Sequence, residues 1–250
     1  MFLLDEIIDI TNRIRLTKYR AAKVIFLAGS IVRGEATPFS DLDLVVVYEN
    51  LPAAFRESFY FGGFPVEAFV HDPETLNYFM TERERPAGVC VMAQMISEGL
   101  EVPETSSFSQ SLKQLAASVI NSRPPALDEE HLRQMRYQIT NLIDDIREPR
   151  SKAELVATGT ALYHALANCY LRANGFWAAK DKSIPRKLKL ANPEFGRRFG
   201  DDFERLFAGG QTAGVIALAG EILAPVGGFL FDGHRLDAPA DNRKPLAQVE

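Results

Sequence analysis

Two short apolar runs, KVIFLA at 23–28 and DLDLVVVY at 41–48, constrain the fold more than any other part of the chain. Each has the length and the apolar, largely branched character of a β-strand, and Gly29-Ser30 follows the first directly. A chain carrying both needs a sheet near its N-terminus, with the 29–40 loop joining the two strands. Strand side chains alternate faces, so Asp41 and Asp43, two apart at the start of the second run, project from the same face.

An acid-x-acid pair alone is common at half-exposed strand starts; the neighbours give this one chemical meaning. Gly29 lets the backbone approach a phosphate closely. Ser30 adds a hydroxyl and an N–H, and the two aspartates supply the hard oxygen ligands that Mg²⁺ prefers. Strand, Gly-Ser, ten intervening residues and a paired acid together point to a divalent metal held against a nucleoside triphosphate.

The remaining periodicities predict an α+β chain. Leu4, Ile7, Ile8 and Ile14 mark an amphipathic helix over 3–20, and 56–71 reads as a hairpin turning at Gly62-Gly63. Asp72-Pro73 has the form of an N-cap followed by proline at the first helical position. Helices are expected at 73–80 and 85–97, and a short strand at 100–102 is expected to close the sheet. After Thr105 the pattern turns helical, with helices predicted at 107–121, 128–147, 151–173, 192–207 and 211–224. The simplest organisation is a mixed-sheet domain over 1–105 followed by a helical bundle over 106–250, with the boundary inside 103–127.

Charge narrows the partners. The net charge is −5, with 16 acids against 11 bases in residues 1–127 and 17 of each thereafter. That balance argues against a protein whose main task is gripping nucleic-acid backbones. One local exception is 180–198, with seven bases against two acids. No run approaches the roughly 20 apolar residues of a membrane span, and the first apolar segment is broken by Asp5, Glu6 and Asp9, unlike a signal peptide. Cys90 and Cys169 lie far apart in apolar patterns and read as buried reduced thiols, so the expected location is the cytoplasm. His71, His131, His164 and His234 have no metal-ligand spacing.

At Ala28-Gly29-Ser30 and Asp41-Leu42-Asp43-Leu44 the chain resembles the nucleotidyltransferase superfamily that includes DNA polymerase β. The longer match in GSIVRGEATPFSDLDLVV, with Arg33-Gly34 and Ser40, is most similar to its aminoglycoside-modifying and minimal bacterial branches. The resemblance implies Mg²⁺ held by Asp41 and Asp43, ATP as donor bound at Gly29 and Ser30, and attack of an acceptor hydroxyl on the α-phosphorus with release of pyrophosphate. It also implies a third carboxylate on a later strand. Glu67 is the first choice, as metal ligand or general base, because PVEAFV sets Glu67, Phe69 and His71 on one strand face; Glu57 on the partner strand is its rival. In streptomycin-modifying relatives a lysine from the helical domain reaches the triphosphate, which suggests Lys180 or Lys182 here; a solvated helix face is the alternative. Arg33 reads as a loop salt bridge before a catalytic group, and Asp144-Asp145 as a solvated face before a cation site.

The resulting expectation is an Mg²⁺-dependent transferase moving AMP from ATP to the hydroxyl of a small molecule, with a cationic, aminoglycoside-like acceptor suited to the acidic balance. A minimal nucleotidyltransferase that AMPylates a protein, and a non-catalytic nucleotide-binding regulator, are the competing readings. A homodimer is left open by the kanamycin branch of the resemblance, in which sites can be built across a dimer.

Overall fold

The computed structural model describes residues 4–239, 242 and 243. The chain divides into two compact units. One runs to Pro125 and also takes in Gly175–Ala178; the other holds Ala126–Asn174 and the chain from Ala179 onward.

The first unit is built on a five-stranded mixed sheet. Its strands are β1 (Val24–Ala28), β2 (Leu42–Val47), β3 (Phe55–Phe61), β4 (Phe64–His71) and β5 (Leu100–Val102), in the spatial order β3-β4-β2-β1-β5. Only β2 and β4 run parallel; the other neighbours are antiparallel. The two apolar runs are therefore central strands, and every residue of β1 is buried. The expected hairpin forms with Gly62 and Gly63 both at positive φ, a turn that costs glycine little.

Helix α1 (Leu4–Thr17) covers one sheet face, where Ile7 and Ile14 meet Ile25, Leu27, Leu44, Val46 and Ala68. A single turn, α2 (Gly29–Val32), links β1 to the loop before β2. On the opposite face Val24, Phe26, Val45 and Val47 pack with α3 (Pro73–Tyr78), α4 (Val91–Glu98) and α5 (Ser107–Asn121). Asp72 caps α3 as the sequence predicts, with its side chain accepting from the Thr75 N–H at 2.8 Å. The helix expected over 85–97 begins only at Val91. A π-helical turn, Phe79–Glu84, prolongs α3 instead, and the 85–90 stretch containing Pro86 and Gly88 turns the chain.

The second unit is helical: α6 (Glu129–Arg147), α7 (Lys152–Ala173), α8 (Ile184–Ala191), α9 (Pro193–Gly209) and α10 (Ala213–Leu223). Asp128, Ser151 and Asn192 accept backbone N–H groups at the starts of α6, α7 and α9. Ile139, Ile143, Leu162, Leu166, Phe199 and Phe203 are central to its core. Tyr170 stacks on Phe195 with centroids 3.7 Å apart. Helix α8 lies where the sequence shows a basic cluster; Ile184 and Leu188, four apart, are its buried anchors. Among the described residues no helix is long and apolar enough to cross a membrane.

Two details of organisation are invisible in the local sequence. Helix α5, assigned by its helical pattern to the bundle, packs in the core of the sheet unit through Leu112, Ala116 and Val119. The short link after α7 also returns to that unit. Trp177 is buried there and donates its Nε1–H to the Ile120 carbonyl at 3.1 Å, while the Ala178 N–H reaches the Gly88 carbonyl at 2.8 Å.

Candidate active site

Asp41, Asp43 and Glu67 come together at one end of the sheet unit, each able to offer a carboxylate oxygen within 4.8 Å of the others. The register explains why. Asp43 sits opposite Glu67 in the parallel β2–β4 ladder and opposite Ala28 in the antiparallel β1–β2 ladder. Paired residues share a face, and Asp41 shares it by alternation. All three are half-buried.

Gly29 follows β1 beside this cluster with φ +79°, and a Cβ there would lie 2.0 Å from Asp43 Oδ2. Glycine is thus required twice over: for the backbone conformation and for the space the carboxylate fills. The neighbouring Ser30 hydroxyl donates to Ser40 Oγ at 3.2 Å, and the Thr37 N–H also donates to Ser40 Oγ at 2.9 Å. These bonds brace the loop that delivers Asp41. The donor set suits a hard divalent cation: three carboxylates, oxygen only, with a cradle that a side chain at Gly29 would fill.

Register also separates the two glutamates. Glu57 faces Ala68 across β3–β4 and therefore projects to the face covered by α1. There it accepts from the Tyr19 hydroxyl at 2.8 Å and pairs with Lys18 at 2.9 Å. Burial, followed by that bond to Glu57, raises the Tyr19 phenol well above its ordinary value. Glu57 is part of a structural network and Glu67 belongs with the aspartates. His71, on the Glu67 face, is buried edge-on against Phe79 with centroids 4.9 Å apart.

The other residues singled out in the sequence lie as follows. Arg33 pairs with Glu35 at 2.9 Å and Glu98 at 3.3 Å, a loop-bracing role. Lys180 and Lys182 are exposed at a 3-10 turn in the second unit. Asp144 and Asp145 are exposed on α6, Asp144 paired with Arg147. His164 is half-buried, lining a groove between α6 and α7 with Met135, Ile139 and Asn168. Cys90 and Cys169 are buried thiols, and burial pushes Cys169 up to about 11.

One residue at the site escaped the sequence reading. Arg56, on the edge strand β3, forms an ion pair with Glu67 Oε1 and lies over the Phe69 ring, its guanidinium carbon 4.9 Å from the centroid. The signal was present: with Phe61 opposite Phe64 at the hairpin turn, Arg56 falls opposite Phe69 and diagonal to Glu67.

A mixed sheet that sets three acids beside a Gly-Ser turn is the arrangement that the resemblance to nucleotidyl-transferring enzymes implies. Comparison with known families agrees: residues 7–81 match the nucleotidyltransferase domain family. A nucleotidyltransferase-like protein from Exiguobacterium sibiricum 255-15 is similar in structure, with 16% identity, a TM-score of 0.39 and coverage of 88% of this chain and 79% of that one. No curated protein matches the chain.

Proposed function

We propose that this enzyme transfers a nucleoside monophosphate, AMP from ATP, to a hydroxyl of a small molecule, with Asp41, Asp43 and Glu67 as its metal-binding acids. The observation that carries the reading is the convergence of the three carboxylates beside Gly29-Ser30, within a segment that matches the nucleotidyltransferase domain family. A bound Mg²⁺ would supply charge neutralisation for the triphosphate and alignment of its α-phosphorus.

The protein's own groups account for the rest. Asp41 and Asp43 lie on one sheet face with carboxylate oxygens within 4.8 Å of each other, so a bound cation would find these ligands already gathered. Gly29 keeps a side chain out of the approach to Asp43, and the Ser30 hydroxyl and N–H are available to a phosphate oxygen once the Ser40 bond is exchanged. Glu67, opposite Asp43, is placed to ligate the metal or to accept the proton of an acceptor hydroxyl. Lys180 and Lys182 are assigned to the triphosphate by resemblance alone. The acidic balance of the chain favours a neutral or cationic acceptor of the aminoglycoside type over a polyanion. Cytoplasmic action accords with the buried thiols.

The test is a transfer assay with α-labelled ATP, GTP, CTP and UTP plus Mg²⁺, offered first to polyhydroxylated small molecules and then to cell extract. Label on a small molecule is the expected result. Label on protein alone, or nucleotide binding without transfer, would replace this reading by AMPylation or by regulation.

A further inference from the structure

We propose that Arg56 competes with the metal for Glu67, so that Glu67 joins the metal site only by giving up its ion pair with this arginine. The inference rests on the metal-site reading above. Three observations carry it. Arg56 is mostly exposed, yet its guanidinium is held at two points, by the Glu67 carboxylate and by the face of Phe69 at 4.9 Å. The pair uses Glu67 Oε1, on the carboxylate that converges with Asp41 and Asp43. Arg56 also sits on β3, the edge strand, where its side chain can swing outward without disturbing the core.

The electrostatics then define two arrangements. Three carboxylates within 4.8 Å repel one another, and Arg56 relieves that repulsion by neutralising the third. A divalent cation relieves it more completely, and the guanidinium and the metal compete for the lone pairs of one carboxylate and repel each other at close range. Metal entry therefore displaces Arg56 from Glu67. The cation–π contact with Phe69 keeps the released guanidinium next to the site, with its planar N–H donors open to an anionic oxygen of the nucleotide. Arg56 is in this sense a positioning residue: it sets when Glu67 becomes available.

The experiment measures Mn²⁺ affinity by electron paramagnetic resonance of the free ion, on the full chain without nucleotide. The proteins compared are wild type, Arg56→Ala, Arg56→Gln, Glu67→Gln, Arg56→Ala/Glu67→Gln and Asp43→Asn. Removing the competitor should tighten Mn²⁺ binding about fivefold in both Arg56 variants, the scale expected of a part-exposed ion pair. The gain should vanish in the Glu67→Gln background, where the arginine has no carboxylate to withhold. Arg56→Gln retains a polar side chain at an exposed edge position, so a folding defect in the alanine variant would not remove the test. Unchanged or weaker Mn²⁺ binding in both Arg56 variants overturns the proposal, and so does a gain of equal size without Glu67, which would be a general charge effect. Those results with binding lost in Asp43→Asn leave the metal site standing; wild-type affinity in Asp43→Asn removes the metal site itself.

Discussion

Gly29 shows how much one residue type can demand. Its φ of +79° and the 2.0 Å separation between a would-be Cβ and Asp43 Oδ2 act together, so Gly29→Ala should both strain the backbone and push the aspartate off its station. The expected stability cost is about 1–3 kcal/mol, with nucleotidyl transfer reduced about 10–100-fold, the scale of disturbing a group that orients a metal ligand. Gly34 offers the control: its φ is +71° but no atom lies within 4 Å of its Cβ position, so Gly34→Ala should pay the backbone cost and keep transfer. Thermal unfolding and label transfer on both variants separate the two effects. At this scale the sequence was informative directly where alternation governs, and only through the hairpin turn where register does. Asp41 and Asp43 could be placed on one face from their spacing alone. The choice between Glu67 and Glu57, and the presence of Arg56, depended on which residues oppose each other across β3–β4.

Among the elements, α3 is fixed by a single side chain. Asp72 accepts from the Thr75 N–H at 2.8 Å and, through its second oxygen, from the Leu51 N–H at 2.8 Å, tying the helix start to the loop after β2. Burial by itself would raise its carboxyl, but these hydrogen bonds outweigh burial and hold it below the ordinary carboxylate range. A carboxyl depressed in the folded state contributes stability above its unfolded pKa, and that contribution is lost as pH falls through the folded value. Asp72→Ala should therefore cost about 2 kcal/mol near neutral pH, and the difference from wild type should shrink in acid; urea midpoints at pH 7 and pH 3 measure it. This cap was legible because Asp-Pro before an apolar run is a local signal. The start of α4 was not, because a π-helical turn prolongs α3 to Glu84 and the next helix begins only at Val91. Helix α8 was hidden for another reason: with two buried anchors in eight residues, its charge pattern drowned its periodicity.

For the whole molecule, the chain's return to the sheet unit at Gly175–Ala178 shows the limit of reading domains as consecutive segments. Trp177 stands among bundle helices in sequence but is buried beside α5, bonded to Ile120. Trp177→Ala should destabilise the sheet unit by about 3–5 kcal/mol, the usual cost of emptying a large aromatic site, seen as a lower thermal midpoint by circular dichroism. No pattern in 175–178 announces this; it follows from which surfaces pair in three dimensions. The catalytic framework was legible because its parts lie within a few dozen residues of strand and loop, whereas the acceptor is recognised by surfaces that no short motif encodes. What the framework does is tested most directly by following both ends of the triphosphate. With Mg²⁺, an acceptor and ATP labelled at either the α- or the γ-phosphorus, the account predicts α-label on the acceptor and γ-label in pyrophosphate, with both signals lost in Asp41→Asn and Asp43→Asn. Appearance of γ-label on the acceptor, or transfer at the wild-type rate by either aspartate variant, would contradict it.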